Sequence, residues 1–151
     1  MKESRNKLKL IGNNIEDLKT ISAYCQDAII KISDLVFLKK NKIFIVKLNR
    51  FMWEDLEKGV FRKYKRIDSY LRFNFVDKVL SKNVDQNKGK KNLELLTIKP
   101  FIEKNFFYKI NLIFSGNIIV SIHSEIIDVI LDDQEIYREV KNYPKHKILN
   151  D

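Results

Sequence analysis

The sequence predicts an α+β fold: a mainly antiparallel sheet of six or seven strands, open or rolled into an open barrel, with one helix near each end. Three observations favour it. Apolar and polar residues alternate over most of the chain, which is the period of half-buried strands. Helical periodicity is confined to one segment near each terminus. No long helical segment links the strands, as a parallel sheet would require.

A short strand at Leu8–Ile11 opens the fold, and a helix follows it. Asn13 or Asn14 is the predicted N-cap, because a short polar side chain accepts hydrogen bonds from the free N–H groups at a helix start. Glu16 and Asp17 follow in the first turn, where acids suit the helix dipole. The buried face is predicted from helical spacing: Ile15, Leu18, Ile21 and Cys25. Cys25 is thus predicted to be a small core residue.

Two β-rich segments, Ala28–Leu38 and Ile43–Phe51, predict an antiparallel hairpin around a lysine-rich turn. One face of the second strand is apolar: Phe44, Val46 and Leu48. Arg50 would continue that apolar face, whereas Phe51 and Trp53 fall on the other. A β-bulge near Asn49–Arg50 would insert one extra residue and so return the apolar side chains to a single face of the strand.

The middle of the chain predicts a second hairpin. Residues 54–68 lack a clear period and are expected to form a loop or a short helix. Residues 70–80 predict a strand with one alternating face: Leu71, Phe73 and Phe75. Residues 81–91 have the composition of a flexible hairpin loop, and residues 93–102 form the return strand.

The C-terminal third predicts a tight hairpin and then a helix. Residues 108–114 and 118–122 alternate around a Ser115–Asn117 turn. Ser124 would cap the helix. Its buried stripe would be Ile126, Ile127, Ile130 and Leu131, and its wet face would be Asp128, Asp132, Asp133 and Glu135. Strands closed by a C-terminal helix are similar in order to pleckstrin-homology-like barrels.

The chain predicts a single domain over residues 1–151, with flexible ends at 1–6 and 144–151. One cysteine excludes an intrachain disulfide. The N-terminus has no apolar run of the kind that a secretory signal needs. Apolar stretches are shorter than ten residues, too short to span a bilayer. We therefore expect a cytoplasmic protein.

The net charge of +9 has two readings. A basic surface is typical of nucleic-acid binding. However, 23 of the 29 basic residues are Lys, and Lys, Ile and Asn supply 58 of 151 residues. AT-rich codons encode these three, so base composition alone would produce the bias. Both readings remain open.

A family resemblance rests on a run of short motifs. They are Leu8-Lys9-Leu10, Glu16-Asp17-Leu18, Ile21-Ser22-Ala23, Gln26-Asp27-Ala28, Asn49-Arg50-Phe51 and Trp53-Glu54. Together they resemble an uncharacterised alphaproteobacterial family, domain of unknown function 2948. Leu71-Arg72-Phe73, residues 122–133, Pro144 and His146 fit its later part more loosely. The resemblance implies a small cytoplasmic bacterial protein without an assigned activity.

No motif predicts a metal, a cofactor or a catalytic group. The histidines are His123 and His146, and the sequence lacks Cys-x-x-Cys, Gly-x-Ser-x-Gly and glycine-rich phosphate motifs. We expect Asp132, Asp133 and Glu135 to be a solvated face. The sequence thus favours a protein that is not an enzyme, without deciding the point.

Between residues 49 and 72, basic and aromatic residues alternate. The cations are Lys58, Arg62, Lys63, Lys65 and Arg66, and the rings are Phe51, Trp53, Phe61, Tyr64 and Tyr70. Such a strip can hold phosphates and stack bases, so it predicts an anion or RNA contact. The competing interpretation is that the rings are core and the cations ordinary surface.

A second candidate site combines polar residues from two elements: Gln26, Asp27, Asn49, Arg50, Trp53 and Glu54. We expect the guanidinium of Arg50 and the indole of Trp53 to face outward into a shared hollow. The leading hypothesis is a non-enzymatic binding or adaptor domain with an unknown protein partner. The alternatives are an RNA-binding protein using the strip, and a small-ligand protein or enzyme with a pocket at Gln26, Asp27, Asn49 and Arg50.

Overall fold

A computed structural model describes residues 7–58, 64–142 and 144, with side chains other than those of 56–58. One helix is described, α1 (Ile15–Tyr24). The strands are β1 (Lys9–Gly12), β2 (Ile29–Lys31), β3 (Leu35–Leu38), β4 (Ile43–Phe51), β5 (Tyr64–Phe73), β6 (Val76–Lys82), β7 (Asn92–Ile102), β8 (Tyr108–Phe114), β9 (Ile118–Ser124) and β10 (Val129–Val140). Apart from Pro144, the predicted flexible ends lie outside the described residues.

The predicted fold class is confirmed: the described part is an antiparallel sheet with one helix. The strand path is β1-β10-β5-β4-β2-β7-β8-β9-β6, and β3 also pairs with β4. The sheet is not closed, and among the described residues β1 and β6 each pair on one side only. Ten strands are described rather than six or seven, because two predicted strands are each broken in two and the predicted C-terminal helix is a strand.

The predicted helix after Ser124 is wrong. Ser124 ends β9, and Val129–Val140 forms β10, which pairs with β1 and β5. Leu131 lies between Leu10 and Leu71 in this pairing. A short apolar run suits either period, and β-branched residues favour a strand. Without this helix, the described part lacks the element on which the similarity to pleckstrin-homology-like barrels rested.

Helix α1 agrees with the prediction. The side chain of Asn14 accepts a hydrogen bond from the backbone N–H of Asp17 at 2.8 Å and caps the helix. Leu18, Ile21 and Cys25 are buried. Gly12 at the end of β1 allows the helix to lie close, since a Cβ there would be 3.0 Å from Cδ1 of Ile21.

The first predicted hairpin is confirmed only in the part next to its turn, where β3 pairs with β4. β3 pairs with β4 from Leu35–Val46 to Leu38–Ile43. A 3-10 turn at Ile32–Asp34 separates β3 from β2. Within β2, Ile29 pairs with Asn49 of β4 on one side and with Glu94 of β7 on the other. β2 therefore bridges the two halves of the sheet.

The second predicted hairpin is wrong. β5 spans ten residues from Tyr64 to Phe73. The predicted loop or short helix over 54–68 therefore agrees with the 3-10 helix Trp53–Lys58 and is wrong from Tyr64 onward, while residues 59–63 lie outside the described residues. Phe75 has a φ of 58° and is exposed, and β6 then joins the other half of the sheet beside β9. The segment 81–91 thus connects strands that do not pair. The hairpin of β8 and β9, with its Ser115–Asn117 turn, forms as predicted.

Candidate functional site

Arg50 lies inside the protein, on the same face of β4 as Phe44, Val46 and Leu48. The pairing of β4 with β5 runs without a shift from Phe44–Phe73 to Phe51–Arg66, so the predicted bulge is absent. Side chains alternate along a strand, and Arg50 therefore continues the apolar face. Its exposed fraction is 0%.

Five hydrogen bonds hold the Arg50 guanidinium. Nε donates to Oδ1 of Asp133 at 2.9 Å, and Nη2 donates to Oδ2 of Asp133 at 2.6 Å. Nη1 and Nη2 donate to the two carboxylate oxygens of Glu54 at 3.0 and 2.7 Å. Nη1 also donates to the carbonyl oxygen of Phe51 at 3.3 Å. A guanidinium has five N–H groups, so Arg50 has none left for a ligand.

Further groups complete this buried cluster. The hydroxyl of Ser69 donates to Oδ1 of Asp133, and the ring of Tyr24 lies 5.5 Å from the Arg50 guanidinium. Burial alone would lower the pKa of Arg50, but the hydrogen bonds to Asp133 and Glu54 outweigh it and raise the pKa. Burial raises the pKa of the nearby Cys25 thiol to about 12, against the opposing charge of Arg50. The cluster is a structural ion pair within the core.

Trp53 also faces the protein. Its indole Nε1 donates to the carbonyl oxygen of Gln26 at 2.9 Å, and its ring lies 4.7 Å from that of Phe51. The hydrogen bond fastens the 3-10 helix Trp53–Lys58 to the loop after α1. The expectation that Arg50 and Trp53 face outward into a shared hollow is therefore wrong.

Asn49 points to the opposite, outer face of β4, where it joins a surface cluster. Its amide Nδ2 donates to Oδ1 of Asp68 at 3.0 Å. Arg66 Nη1 donates to the carbonyl oxygen and to Oδ1 of Asn49, both at 3.2 Å. Burial lowers the pKa of Arg66, and the charge of Asp27 opposes this shift.

A cavity of about 880 Å³ lies over this cluster, and we call it the outer groove. Four cations line it, Lys7, Lys31, Arg66 and Arg138, together with the acids Asp68 and Glu135. The exposed side chains of Ile29 and Ile136 add apolar surface. The outer groove is thus a mixed surface with a net charge of +2 from four cations and two acids.

The predicted small-ligand pocket does not form as proposed. Asn49 lines the outer groove, but Arg50 is on the inner face, because neighbouring residues of a strand point to opposite sides. Asp27 is buried, with a φ of 62°, and its backbone N–H donates to the carbonyl oxygen of Leu95 at 2.8 Å. Glu54 holds Arg50. These residues lie around the end of β4 without lining one pocket.

The basic and aromatic strip is only partly described. Arg62, Lys63 and Phe61 lie outside the described residues, as does the side chain of Lys58. Lys65 is not an open surface cation: its Nζ is 3.7 Å from Oδ2 of Asp55 and 4.5 Å from the ring centroid of Tyr137. Phe51 is fully buried. Arg66 is the strip residue that the structure places in a groove.

Sequence reasoning missed Asp133, which was expected on a wet helix face and is 0% exposed. A signal was present, because Asp133 follows Val129 and Leu131 at the period of a strand. It also missed Asp68 and Arg138, which line the outer groove. These lie on strands that were assigned to a loop or left unassigned.

The described residues offer neither a metal site nor a membrane-spanning helix. Among the described residues, no group of three or more His, Cys, Asp or Glu side chains could hold a metal ion. No helix in the described ranges has the length and apolar character to cross a membrane.

Comparison with known proteins gives one result. No curated protein and no solved structure is similar enough to this chain to count as a match. The family model described as protein of unknown function (DUF2948) matches residues 8–146, which confirms the resemblance. Since this match spans nearly the whole sequence, the chain belongs to the DUF2948 family.

Proposed function

We propose that this protein is a non-enzymatic binding domain that holds an acidic segment of a protein partner in the outer groove. The observation that carries the proposal is the way Arg66 is held. Asn49 accepts both hydrogen bonds of Arg66, and both come from Nη1. Within the described part of the chain, Nε and Nη2 of Arg66 make no hydrogen bond.

That arrangement suits a carboxylate. Nε and Nη2 lie side by side on a guanidinium, and their parallel N–H groups match the two oxygens of one carboxylate. Asn49 fixes the fork in advance, so little side-chain entropy is lost on binding. Lys31 and Arg138 line the same groove and would attract further acids.

The lining favours a peptide over RNA. Ile29 and Ile136 offer apolar contacts for side chains between the acids of a peptide, contacts that a phosphate backbone would not use. Among the described rings of the strip, Phe51 is buried and Trp53 packs against it, and the exposed ring of Tyr70 does not line the outer groove. Arg50 stabilises the strands from the inner face and does not contact the ligand.

The test is fluorescence anisotropy with labelled peptides in which glutamate alternates with leucine, against otherwise equal peptides with glutamine. We expect the wild type to prefer the glutamate series. Arg66→Ala should weaken binding at least tenfold, since a hydrogen bond to a charged group contributes about 1.5–3 kcal/mol. Arg72→Ala is the matched control: the same residue type on the same face of β5, about 20 Å away.

Two results would contradict the proposal. One is equal affinity for the glutamate and glutamine series. The other is an Arg66→Ala protein that binds like the wild type. If a labelled single-stranded RNA binds more tightly than any peptide and Arg66→Ala abolishes that binding, the RNA alternative replaces the peptide.

A further inference from the structure

The turn between β7 and β8 exposes a cluster of large apolar side chains. Phe106 is 86% exposed, the highest value for any large apolar residue in the described part of the chain. Ile102 is 63% exposed, and Phe101 and Phe107 are also exposed. Four large apolar residues thus lie within seven positions at one hairpin tip.

The shape of the turn does not explain the phenylalanine. Asn105 and Phe106 have φ values of 67° and 66°. Asn adopts this left-handed conformation readily, but a bulky side chain does so at a cost. The turn closes through the backbone N–H of Glu103, which donates to the carbonyl oxygen of Phe107 at 2.6 Å. Folding therefore gains nothing from the Phe106 ring, and an external contact would account for it.

Lysines surround the apolar tip. The Nζ atoms of Lys99 and Lys109 lie 5.6 and 5.3 Å from the ring centroid of Phe101, and Lys104 is in the turn itself. The one acid of this segment, Glu103, is 3.4 Å from Lys109. Three lysines against one glutamate give the tip a net charge of +2.

The same end of the sheet exposes two more apolar residues. Strand pairing brings Val76, Tyr108 and Ser124 to one level. Phe75 precedes Val76, and Ile126 lies two positions after Ser124; both side chains are exposed. The hairpin tip is therefore part of an apolar end of the molecule.

We infer that this hairpin tip docks on an anionic lipid surface, with Phe106 in the headgroup and acyl boundary and the lysines at the headgroups. A projecting tip offers too little area for a stable protein interface, which needs about 800 Å² from each partner. A lipid surface needs only a few inserted apolar side chains and nearby cations. Lysine stems can lie along apolar surface while the ammonium groups reach anionic headgroups.

The test is co-sedimentation with vesicles. We expect the wild type to sediment with phosphatidylcholine vesicles that contain roughly a third phosphatidylglycerol, and not with pure phosphatidylcholine. Phe106→Ser should lower the partition coefficient roughly tenfold, because burial of the ring is lost. Phe106→Trp should retain binding, since Trp suits the membrane interface. Ile11→Ser is the matched control, at an exposed apolar residue on β1, which lies at the end of the strand order and outside the outer groove.

Phe106→Ser leaves the net charge of the protein unchanged. It therefore distinguishes insertion of the ring from electrostatic attraction between a basic protein and anionic vesicles. A Phe106→Ser protein that binds like the wild type, or a wild type that ignores anionic vesicles at low salt, would overturn the inference. So would a dimer of the wild type that Phe106→Ser dissociates without any lipid binding, since a second copy would then cover the tip.

Discussion

Arg50 and Asp133, 83 residues apart in the chain, form a two-bond ion pair in which both side chains are 0% exposed. The pair joins β4 to β10 across the intervening β5, where Ser69 also donates to Asp133. Buried charges are tolerated only when they are matched. The pair therefore makes one placement of β10 far better than any shifted one.

Arg50→Ala should destabilise the protein by about 3–5 kcal/mol, because the negative charge of Asp133 would remain buried without the guanidinium that neutralises it. Urea unfolding followed by circular dichroism measures the loss. Arg72→Ala, at an exposed position on β5, should stay within about 0.5 kcal/mol of the wild type. A loss below about 1 kcal/mol in Arg50→Ala would show that the pair is dispensable.

Arg50→Lys should also destabilise, although it keeps the charge. Lysine has three donors on one atom, whereas Arg50 uses five N–H groups across two carboxylates and a carbonyl. We expect a loss of at least about 2 kcal/mol in the same urea experiment. Stability equal to that of the wild type would mean that charge alone, and not the fork, matters here.

The pKa of Cys25 predicts an alkaline loss of stability. The thiol stays protonated in the folded protein up to about pH 12, whereas in the unfolded chain it ionises near pH 9.0. Its contribution is fully present below pH 9.0 and falls by roughly 1.4 kcal/mol per pH unit as the pH rises toward 12. Cys25→Ala should be less stable than the wild type near neutral pH, and the gap should narrow between pH ~9 and ~10. A constant gap would contradict the prediction.

Trp53→Phe should cost about 1–2 kcal/mol, since it keeps most of the ring but removes the donor to the Gln26 carbonyl. Unfolding should be followed by circular dichroism, because Trp53 is the only tryptophan of the chain and the variant therefore has no tryptophan fluorescence to follow. Tyr70→Phe is the control, at an exposed ring on β5, and should be nearly neutral. Equal stabilities for the two variants would argue against the indole hydrogen bond.

Gly12→Ala should destabilise by about 1–2 kcal/mol, because the added Cβ would meet Cδ1 of Ile21 at 3.0 Å. Ile21→Val removes that atom, so the double variant should lose less than the sum of the two single losses. Gly89→Ala is the control, and it should leave the stability unchanged or raise it. The φ of Gly89 is −57°, and the nearest atom to an added Cβ would be 3.5 Å away, so alanine fits there without strain. Additive losses at Gly12 and Ile21 would show that the close approach is not the cause.

Features that depend on neighbouring residues are predicted correctly from the sequence, whereas features that depend on residues far apart in the chain are not. Asn14 caps α1 and the alternation at Phe44, Val46 and Leu48 marks β4, because both depend on neighbouring residues. The corner at Phe75 contains no Gly or Pro, so nothing in the sequence marks its left-handed backbone. Ile126 to Leu131 fits a helix and a strand equally well, and pairing with β1 and β5 decides for the strand.

The same distinction between local and long-range determinants applies to the candidate site. Arg50 was recognised as a break in an apolar pattern, but its direction depends on a carboxylate 83 residues away. The outer groove draws on β2, β4, β5, β7 and β10, so pairing across the whole sheet is needed to assemble it. Asn49 and Arg66 are candidates from the sequence in two separate sites, and their contact with each other, like that of Asn49 with Asp68, follows only from the register of β4 with β5.

The two edge strands at the ends of the strand order, β1 and β6, give the abundant lysines a role that needs no ligand. Lys9 on β1 and Lys78 and Lys82 on β6 are exposed along these edges. A bare edge is a template on which another chain can add a strand, and lysines there oppose such growth through charge repulsion. High salt or lysine acetylation should therefore promote aggregation before it promotes unfolding, whatever the groove and the hairpin bind.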